Sequence, residues 1–186
     1  NKAVEDTAGL ILTYKGKPFP AFFHATCGGH TEDASSLWNI DIAPLKGVVC
    51  DFCQDSPHFN WNCVLKLTEV EERLESSGLG LGKIKNIEIA GRDRSGRAKD
   101  LNIFYEKNTL RIAAKDFRAI VGLNIIRSTN FSLFISKGDV VFEGRGWGHG
   151  AGLCQWGAYF MAKQGKNALE ILKYYYPKSN VANIGF

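Results

Sequence analysis

The chain has 186 residues, of which 45% are hydrophobic and 23% charged, and this composition is ordinary for a globular protein. Its formal net charge of +4 is too small to indicate nucleic-acid binding, although it allows attraction to an anionic polymer or membrane surface. No apolar run in the sequence is long enough to span a bilayer.

Turn residues and apolar periodicity divide the chain into hairpins and short helices, which predicts an α+β fold. The predicted strands are 8–15, 19–26, 61–67, 83–91, 99–105, 109–113, 131–136 and 139–143, with the first two paired in a hairpin. The predicted helices are a turn at 35–39 and helices over 68–78, 115–121, 153–164 and 168–175, the last capped by Asn167. Arg92, Arg94 and Arg97, with Asp93 between them, are expected at a solvated hairpin tip. A change of composition near Leu67 suggests two lobes, 1–67 and 68–186.

Two short-spaced pairs of soft ligands indicate a metal site. Cys27-x2-His30 is followed by Cys50-x2-Cys53. Two tight turns with this spacing can present four ligands to a tetrahedral zinc ion, with no position left for water. The sequence therefore predicts a structural zinc site, formed by Cys27, His30, Cys50 and Cys53, that stabilises the strand-rich fold.

Other interpretations of these residues stay open. His24 competes with His30 for the fourth position, because the two side chains would point to the same face of an extended strand. A disulfide from Cys27 to Cys50 or to Cys53 would fit an exported protein, and unrelated buried cysteines are the simplest alternative. The chain has five cysteines, so they cannot all pair within it, and this favours a metal.

The loop 144–152 has a glycine at every second position. Ordering so many glycines loses much backbone entropy, which indicates that the shape of the loop is needed. We interpret the loop as a floor for a flat polymer, with His149 and Gln155 as polar edges and with Trp147 and Trp156 as faces that stack on sugar rings. The alternative is that His149 is a buried histidine that holds the loop in shape.

Two long motifs resemble the signatures of a known family. The first is GKP at 16–18 and AFFHATCGGHTE at 21–32, followed by Trp38, and the second is GRGWGHGAGLCQWGA at 144–158. In this order they resemble the SpoIID/LytB family, which includes stage II sporulation protein D and the amidase enhancer. The resemblance covers nearly the whole chain, so residues 1–186 are interpreted as a SpoIID/LytB-type domain that lacks its N-terminal segment.

The resemblance implies a periplasmic or extracellular protein of the cell envelope whose partners are peptidoglycan glycan strands and other cell-wall hydrolases. It implies lytic transglycosylase cleavage, in which one carboxylic acid protonates the glycosidic oxygen and then helps the 6-hydroxyl of the sugar attack C1. The catalytic glutamate of the family is expected upstream of this chain. The alternative is a non-catalytic module that binds peptidoglycan or enhances an amidase.

The resemblance also points to individual residues. Thr31 and Glu32, in the first motif, become candidates for substrate contact. Glu32 is in addition a candidate catalytic acid, although a salt-bridged or capping role is more usual for such a residue. Cys154 stands where many members of the family have serine, which makes it an alternative ligand for the metal.

Overall fold

The structure is a computed structural model that describes residues 2–185. The helices in this range are α1 (Lys2–Asp6), α2 (Ala34–Trp38), α3 (Leu67–Ser76), α4 (Ala114–Val121), α5 (Gln155–Lys163) and α6 (Ala168–Tyr175). The strands are β1 (Leu10–Tyr14), β2 (Lys17–Pro18), β3 (Phe23–His24), β4 (Asn60–Lys66), β5 (Ile84–Ile89), β6 (Asp100–Tyr105), β7 (Asn108–Ala113), β8 (Phe131–Ser136), β9 (Asp139–Arg145), β10 (Leu153–Cys154) and β11 (Asn180–Asn183). Two 3-10 turns, Ala43–Leu45 and Asp51–Cys53, precede β4. The chain is therefore a mixed α/β protein with many strands and several short helices, which confirms this part of the prediction.

The strands form small sheets. Three sheets are antiparallel, with the strand orders β11-β1-β2, β4-β9-β8 and β5-β6-β7. A further pair, β3 and β10, is parallel, with Leu153 opposite Phe23 and Cys154 opposite His24. This parallel pair joins the two sequence motifs, which lie far apart in the chain.

The predicted hairpin between residues 8–15 and 19–26 is only partly formed. β1 pairs with the two residues of β2 and, on its other side, with β11. Pro18 and Pro20 have no N–H to donate to a ladder, so the returning strand does not continue along β1. The chain resumes as β3 and pairs with β10 instead.

The buried apolar side chains form two clusters. The first cluster draws all of its fully buried members from residues 61–142, including Phe117 on α4 and Phe142 on β9. The second combines residues 27–53 with residues 151–176, including the buried Tyr175 of α6. The two clusters are not consecutive in sequence, and the lobe boundary near Leu67 stays a prediction.

Helices α2 to α6 begin and end close to the predicted positions, whereas α1 was not predicted. Asn167 caps α6 as predicted, since its Oδ1 accepts a hydrogen bond from Glu170 N at 3.0 Å while its own N donates to Glu170 Oε2 at 2.8 Å. Such a capping box satisfies two backbone donors that the first turn of a helix leaves free. Within residues 2–185, none of the helices combines the length and the apolar character that crossing a membrane requires.

Candidate functional site

Four buried cysteines lie together at the centre of the second cluster. The Sγ atoms of Cys27, Cys50, Cys53 and Cys154 all lie within 4.8 Å of one another, and each residue is fully buried. Cys27 follows β3, and Cys50 and Cys53 flank a 3-10 turn. Cys154 ends β10, so the parallel pairing of β3 with β10 brings it beside the Cys27 loop. All four are free thiols in the structure, as is Cys63 on β4.

The geometry of this cysteine cluster fits a tetrahedral metal. Four thiolates around zinc, each about 2.3 Å from the ion, would be separated by roughly 3.8 Å. The Sγ atoms of Cys27 and Cys53 are 3.4 Å apart. Cys154 Sγ also accepts hydrogen bonds from the backbone N of Cys27 and of Gly157, both at 3.3 Å, and it caps the N-terminus of α5. These donors, together with the helix dipole, stabilise negative charge on the sulfur.

The structure places neither histidine candidate in the cysteine cluster. His30 pairs its backbone with Val49, and its Nδ1 lies 2.6 Å from Thr31 O. His24 is 4% exposed, and its Nδ1 donates to Ala151 O at 3.1 Å. Desolvation by burial lowers the pKa of His24 to about 3, so its ring is neutral. The fourth sulfur therefore comes from Cys154, the alternative ligand, because the β3–β10 pairing brings it closer than either imidazole.

The glycine loop 144–152 packs against protein rather than offering an open floor. A Cβ on Gly152 would lie 1.9 Å from Phe22 O, and a Cβ on Gly150 would lie 2.6 Å from Arg97 Cζ. Glu32 N donates to Gly150 O at 2.8 Å, which fixes the loop against the first motif. These two glycines thus permit a close approach between the two motifs.

Arg97 is the centre of a buried polar network and is not part of a solvated hairpin tip. The side chain is fully buried, whereas Arg92 and Arg94 are exposed, as predicted. Arg97 Nη1 donates to His30 O at 2.8 Å, and Nη2 donates to Cys27 O at 2.6 Å. Arg97 therefore ties the 92–98 hairpin to the loop that carries the first cysteine. The sequence around Arg97 does not indicate this burial, because the carbonyl groups that accept its hydrogen bonds belong to the distant residues Cys27 and His30.

The buried Glu32 forms a carboxyl pair with the half-buried Asp93. Glu32 is 3% exposed, its Oε1 accepts from Asp33 N at 2.8 Å, and its Oε2 lies 3.2 Å from Ser95 Oγ. Burial, together with a hydrogen bond to Asp93, raises the pKa of Glu32 to about 7. Burial alone would also raise the pKa of Asp93, but hydrogen bonds with Glu32 and Ser95 outweigh it and lower that pKa. Below about pH 7 the pair therefore holds a proton, which lies on Glu32 because the pKa of Asp93 is the lower one.

Two of the predicted substrate contacts, Thr31 and His149, mainly contact other residues of the protein. Thr31 is 1% exposed, and its Oγ1 accepts from Val48 N at 2.7 Å. His149 accepts from Ala151 N at Nδ1 and packs edge-on against Trp38, with ring centroids 4.9 Å apart. Burial lowers the pKa of His149, so the ring is neutral at pH 7.

Trp147, Gln155 and Trp156 lie at the surface in different surroundings. The guanidinium of Arg127 lies 4.8 Å from the centroid of Trp147, so a cation covers the ring face that was expected to stack on sugar. Gln155, Trp156 and the 48% exposed Tyr159 line a hollow of about 170 Å³. This hollow keeps an aromatic surface beside an exposed amide, which is the combination that binds sugar rings.

The structure contains a polar groove that is larger than the hollow at Trp156 and that the sequence did not predict. It has a volume of about 780 Å³ and lies at the end of the β4-β9-β8 sheet, with Arg92, Arg127 and Arg145 along it. The alternation of Asn60 with Asn62 was the available signal, because alternate residues of a strand share a face. The arginines come from separate segments, so only the fold reveals that they face one opening.

Comparison with known proteins identifies the family. Residues 45–152, more than half of the chain, match a family model described as Domain of unknown function (DUF8618), and the chain therefore belongs to that family. The resemblance to the SpoIID/LytB family is confirmed by relatives that align with nearly the whole chain. One is a stage II sporulation protein D of Bacillus amyloliquefaciens, 31% identical over 94% of this chain.

Two other relatives extend the comparison. An uncharacterised protein of Brachyspira hyodysenteriae is 35% identical over 94% of this chain, and an amidase enhancer of Bacillus subtilis is 22% identical over 98%. The chain spans 46% of the length of the Brachyspira protein, 48% of the sporulation protein and 32% of the amidase enhancer. It therefore corresponds to half or less of each of these relatives.

Proposed function

We propose that this chain is the glycan-binding part of a cell-envelope protein that acts on peptidoglycan. The observation that carries the proposal is the hollow of Gln155, Trp156 and Tyr159, because it is formed where the second family motif leads into α5. An aromatic ring beside an amide can stack on a sugar and hydrogen-bond its hydroxyl or acetamido groups. The names of the relatives, stage II sporulation protein D and amidase enhancer, support a role at the cell wall.

For the full-length protein we propose lytic transglycosylase cleavage of glycan strands. This chemistry needs a carboxylic acid that can reach the glycosidic oxygen. Glu32 has the raised pKa of such an acid, but its low exposure and its hydrogen bonds to Asp33 N and Ser95 favour a structural role. We therefore propose that the acid is a glutamate outside residues 1–186.

The full-length protein tests this mechanism. Incubated with purified peptidoglycan, it should release 1,6-anhydro muropeptides, because the 6-hydroxyl of the sugar replaces water as the nucleophile. Release of products with ordinary reducing ends would show a hydrolase instead and would remove the transglycosylase proposal.

The second candidate function is a non-catalytic module that binds peptidoglycan and enhances an amidase. It is favoured by the amidase enhancer among the relatives and by the buried position of Glu32. In this case the full-length protein retains glycan strands in a pull-down, forms no product alone, and raises product formation by an added amidase. Product formation without the amidase would exclude this candidate.

We further propose that Cys27, Cys50, Cys53 and Cys154 hold one structural zinc ion. The burial of all four residues and the mutual distances of their sulfurs fit a closed tetrathiolate site with no open position for water. The ion would connect the loops after β3 and before β4 to the start of α5. Elemental analysis of protein purified without chelators should give one zinc per chain, and its absence would overturn the proposal.

A further inference from the structure

The polar groove at the end of the β4-β9-β8 sheet has an excess of positive charge. Arg92, Arg127 and Arg145 line it, and Glu143 is the acidic residue among its lining residues. Its volume of about 780 Å³ is several times that of the hollow at Trp156, and it is open to solvent. A groove of this size can hold a polar group larger than one sugar ring.

The three guanidinium groups of the groove are held in place by different contacts. Arg127 lies over the ring of Trp147, 4.8 Å from its centroid, and Arg145 lies 6.0 Å from the centroid of Phe59. Arg92 donates from Nη2 to Phe131 O at 2.8 Å and from Nη1 to Gly96 O at 2.7 Å. The two carbonyl contacts hold Arg92 most firmly, and the ring contact of Arg145, at the outer limit of a cation–π interaction, holds it least; such contacts restrict a guanidinium before a ligand arrives and reduce the entropy lost on binding.

These cations lack an acidic partner in the part of the chain that the structure describes. Within residues 2–185, the side chains of Arg127 and Arg145 form no hydrogen bond or ion pair. Glu143 forms no ion pair there either, although it lines the same groove. The N–H groups of Arg127 and Arg145 therefore remain available to an external acceptor.

Uncharged polar side chains share the face on which the groove opens. Asn60 lies opposite Arg145 across the β4–β9 ladder, and Asn62 lies opposite Glu143. On the other side of β9, Ser132 also lies opposite Glu143. Amide and hydroxyl groups next to arginine suit a ligand that carries isolated negative charges among hydroxyl and amide groups. Glu143 disfavours a densely charged polyanion, because like charges would approach each other.

We propose that this groove binds carboxylate groups of the cell-wall glycan. The planar guanidinium matches a carboxylate in charge and in bidentate geometry, whereas a neutral sugar would form only single hydrogen bonds with it. Two sources in one polymer offer this chemistry: the lactyl carboxylate of a muramic acid that carries no peptide, and the carboxylates of a peptide where one is attached through that lactyl group. The inference rests on the proposed glycan-binding function and adds to it the part of the substrate that this second site recognises.

The groove is connected to the hollow at Trp156 by a row of ring contacts. Trp147, which carries Arg127 on its face, is 4.7 Å from the ring of His58. His58 in turn is 6.2 Å from Trp156, which lines the hollow. These short steps place the groove near the hollow, and in the proposal one glycan strand contacts both, with a sugar on the aromatic surface and a carboxylate at Arg127.

Binding measurements with matched variants test the proposal. The protein is titrated at about 0.15 M salt, where exposed charges are partly screened, with peptide-free muramic acid oligosaccharides, with the same oligosaccharides carrying their peptides, and with neutral chitooligosaccharides. A portion of each acidic probe has its carboxylates converted to amides. Arg127→Gln and Arg145→Gln are compared with Arg111→Gln, which removes an equal charge from a side chain that is 65% exposed on β7.

We expect Arg127→Gln and Arg145→Gln each to weaken binding of the acidic probes roughly tenfold. Arg127→Lys should give a smaller but measurable loss, because lysine keeps the charge and loses the bidentate fork. Arg111→Gln should bind like the unchanged protein, and all variants should bind the amidated probes equally. The acidic probe that shows the larger loss identifies the source of the carboxylate.

Three outcomes would overturn the inference in different ways. If the unchanged protein binds native and amidated probes with the same affinity, the groove does not recognise carboxylates, and the proposed glycan binding survives. If none of the glycan probes binds, the proposed function fails together with the inference. An equal loss in Arg111→Gln would show nonspecific attraction and would also remove the groove as a site.

Discussion

Arg97 donates a hydrogen bond from Nη2 to the carbonyl oxygen of Cys27 at 2.6 Å, although the two residues are 70 positions apart in the chain. The same guanidinium binds His30 O through Nη1. A fully buried cation thus sets the backbone of the loop that carries the first cysteine. The shape of the cysteine cluster therefore depends on a residue that does not belong to it.

Replacing Arg97 should weaken both the fold and the cysteine cluster. Arg97→Met leaves two buried carbonyl groups without their donors, so we expect the free energy of unfolding to fall by roughly 2–4 kcal/mol. Arg94→Met, at an exposed position of the same hairpin, should change it by less than about 0.5 kcal/mol. Chemical denaturation measures both values, and equal stability of the two variants would contradict the role given to Arg97.

If zinc binds as proposed, variants of Cys154 and of His30 should differ in metal content, which shows which residue is the fourth ligand. Cys154→Ala should lose the metal and destabilise the protein by at least ~3 kcal/mol, because metal binding energy contributes to folding. His30→Ala should keep one zinc per chain, since its ring lies outside the cysteine cluster. Cys63→Ser serves as the control thiol on β4. Metal content by elemental analysis decides the result, and loss of zinc from His30→Ala would return the imidazole to the ligand set.

Replacing Gly150 with alanine should destabilise the protein more than the same replacement at Gly138, which has a similar backbone geometry. Gly150 has φ +90°, and a methyl group at its Cβ position would lie 2.6 Å from the Arg97 guanidinium, whereas Gly138 has φ +83° with open space around it. Gly138→Ala should cost about 1 kcal/mol for the left-handed backbone alone. Gly150→Ala should cost a further ~1–3 kcal/mol, because Arg97 must move. Thermal unfolding of both variants measures the difference, and equal costs would show that the contact has no influence.

The carboxyl pair should make stability depend on pH. The pKa of Glu32 is raised from 4.5 to about 7 in the folded chain. Between these values the folded chain holds a proton that the unfolded chain has released, so stability falls as the pH rises through this range. The loss should be on the order of 1–3 kcal/mol and should be absent in Glu32→Gln. The free energy of unfolding is measured at several pH values for the unchanged protein and for Glu32→Gln, and the difference between them cancels the contribution of the thiols. If both proteins show the same pH dependence, Glu32 does not have the raised pKa.

The aromatic hollow should contribute to binding of neutral sugars. Tyr159→Ala removes one exposed ring of the hollow and should weaken chitooligosaccharide binding roughly fivefold. Leu123→Ala, which removes a 51% exposed apolar side chain after α4, should leave the affinity unchanged. Calorimetric titration gives both affinities. Unchanged binding by Tyr159→Ala would place the sugar elsewhere.

Local periodicity explains why most strands and helices were predictable. The burial of β4 alternates along the strand, and Asn167 carries its own capping signal. The ligand set was less predictable, because Cys154 reaches the other cysteines only through the pairing of β3 with β10. Spacing within a segment favoured His30, and nothing in the segment indicates that its ring turns toward Thr31 O.

Contacts between distant segments also explain why the sequence predicted an exposed position for Arg97 and did not predict the polar groove. Arg97 stands among charged residues, and only its distant carbonyl partners account for its burial. The glycine loop was correctly marked as a segment of required shape, and that shape allows close approach to Phe22, Trp61 and Thr26 of the same chain. Sequence patterns identify which segments are constrained, whereas the partner that constrains them is set by the tertiary fold.

The interleaving of the two clusters bears on how the chain folds during synthesis. The fully buried members of the first cluster lie within residues 61–142, so that region can collapse as soon as it has left the ribosome. The second cluster needs residues 151–176 as well as residues 27–53. Three of its four thiols must therefore wait, unassembled, while the whole of the first cluster is made. Until Cys154 arrives, these thiols lack the burial that the complete cluster gives them, and they stay accessible to oxidants and to metal ions.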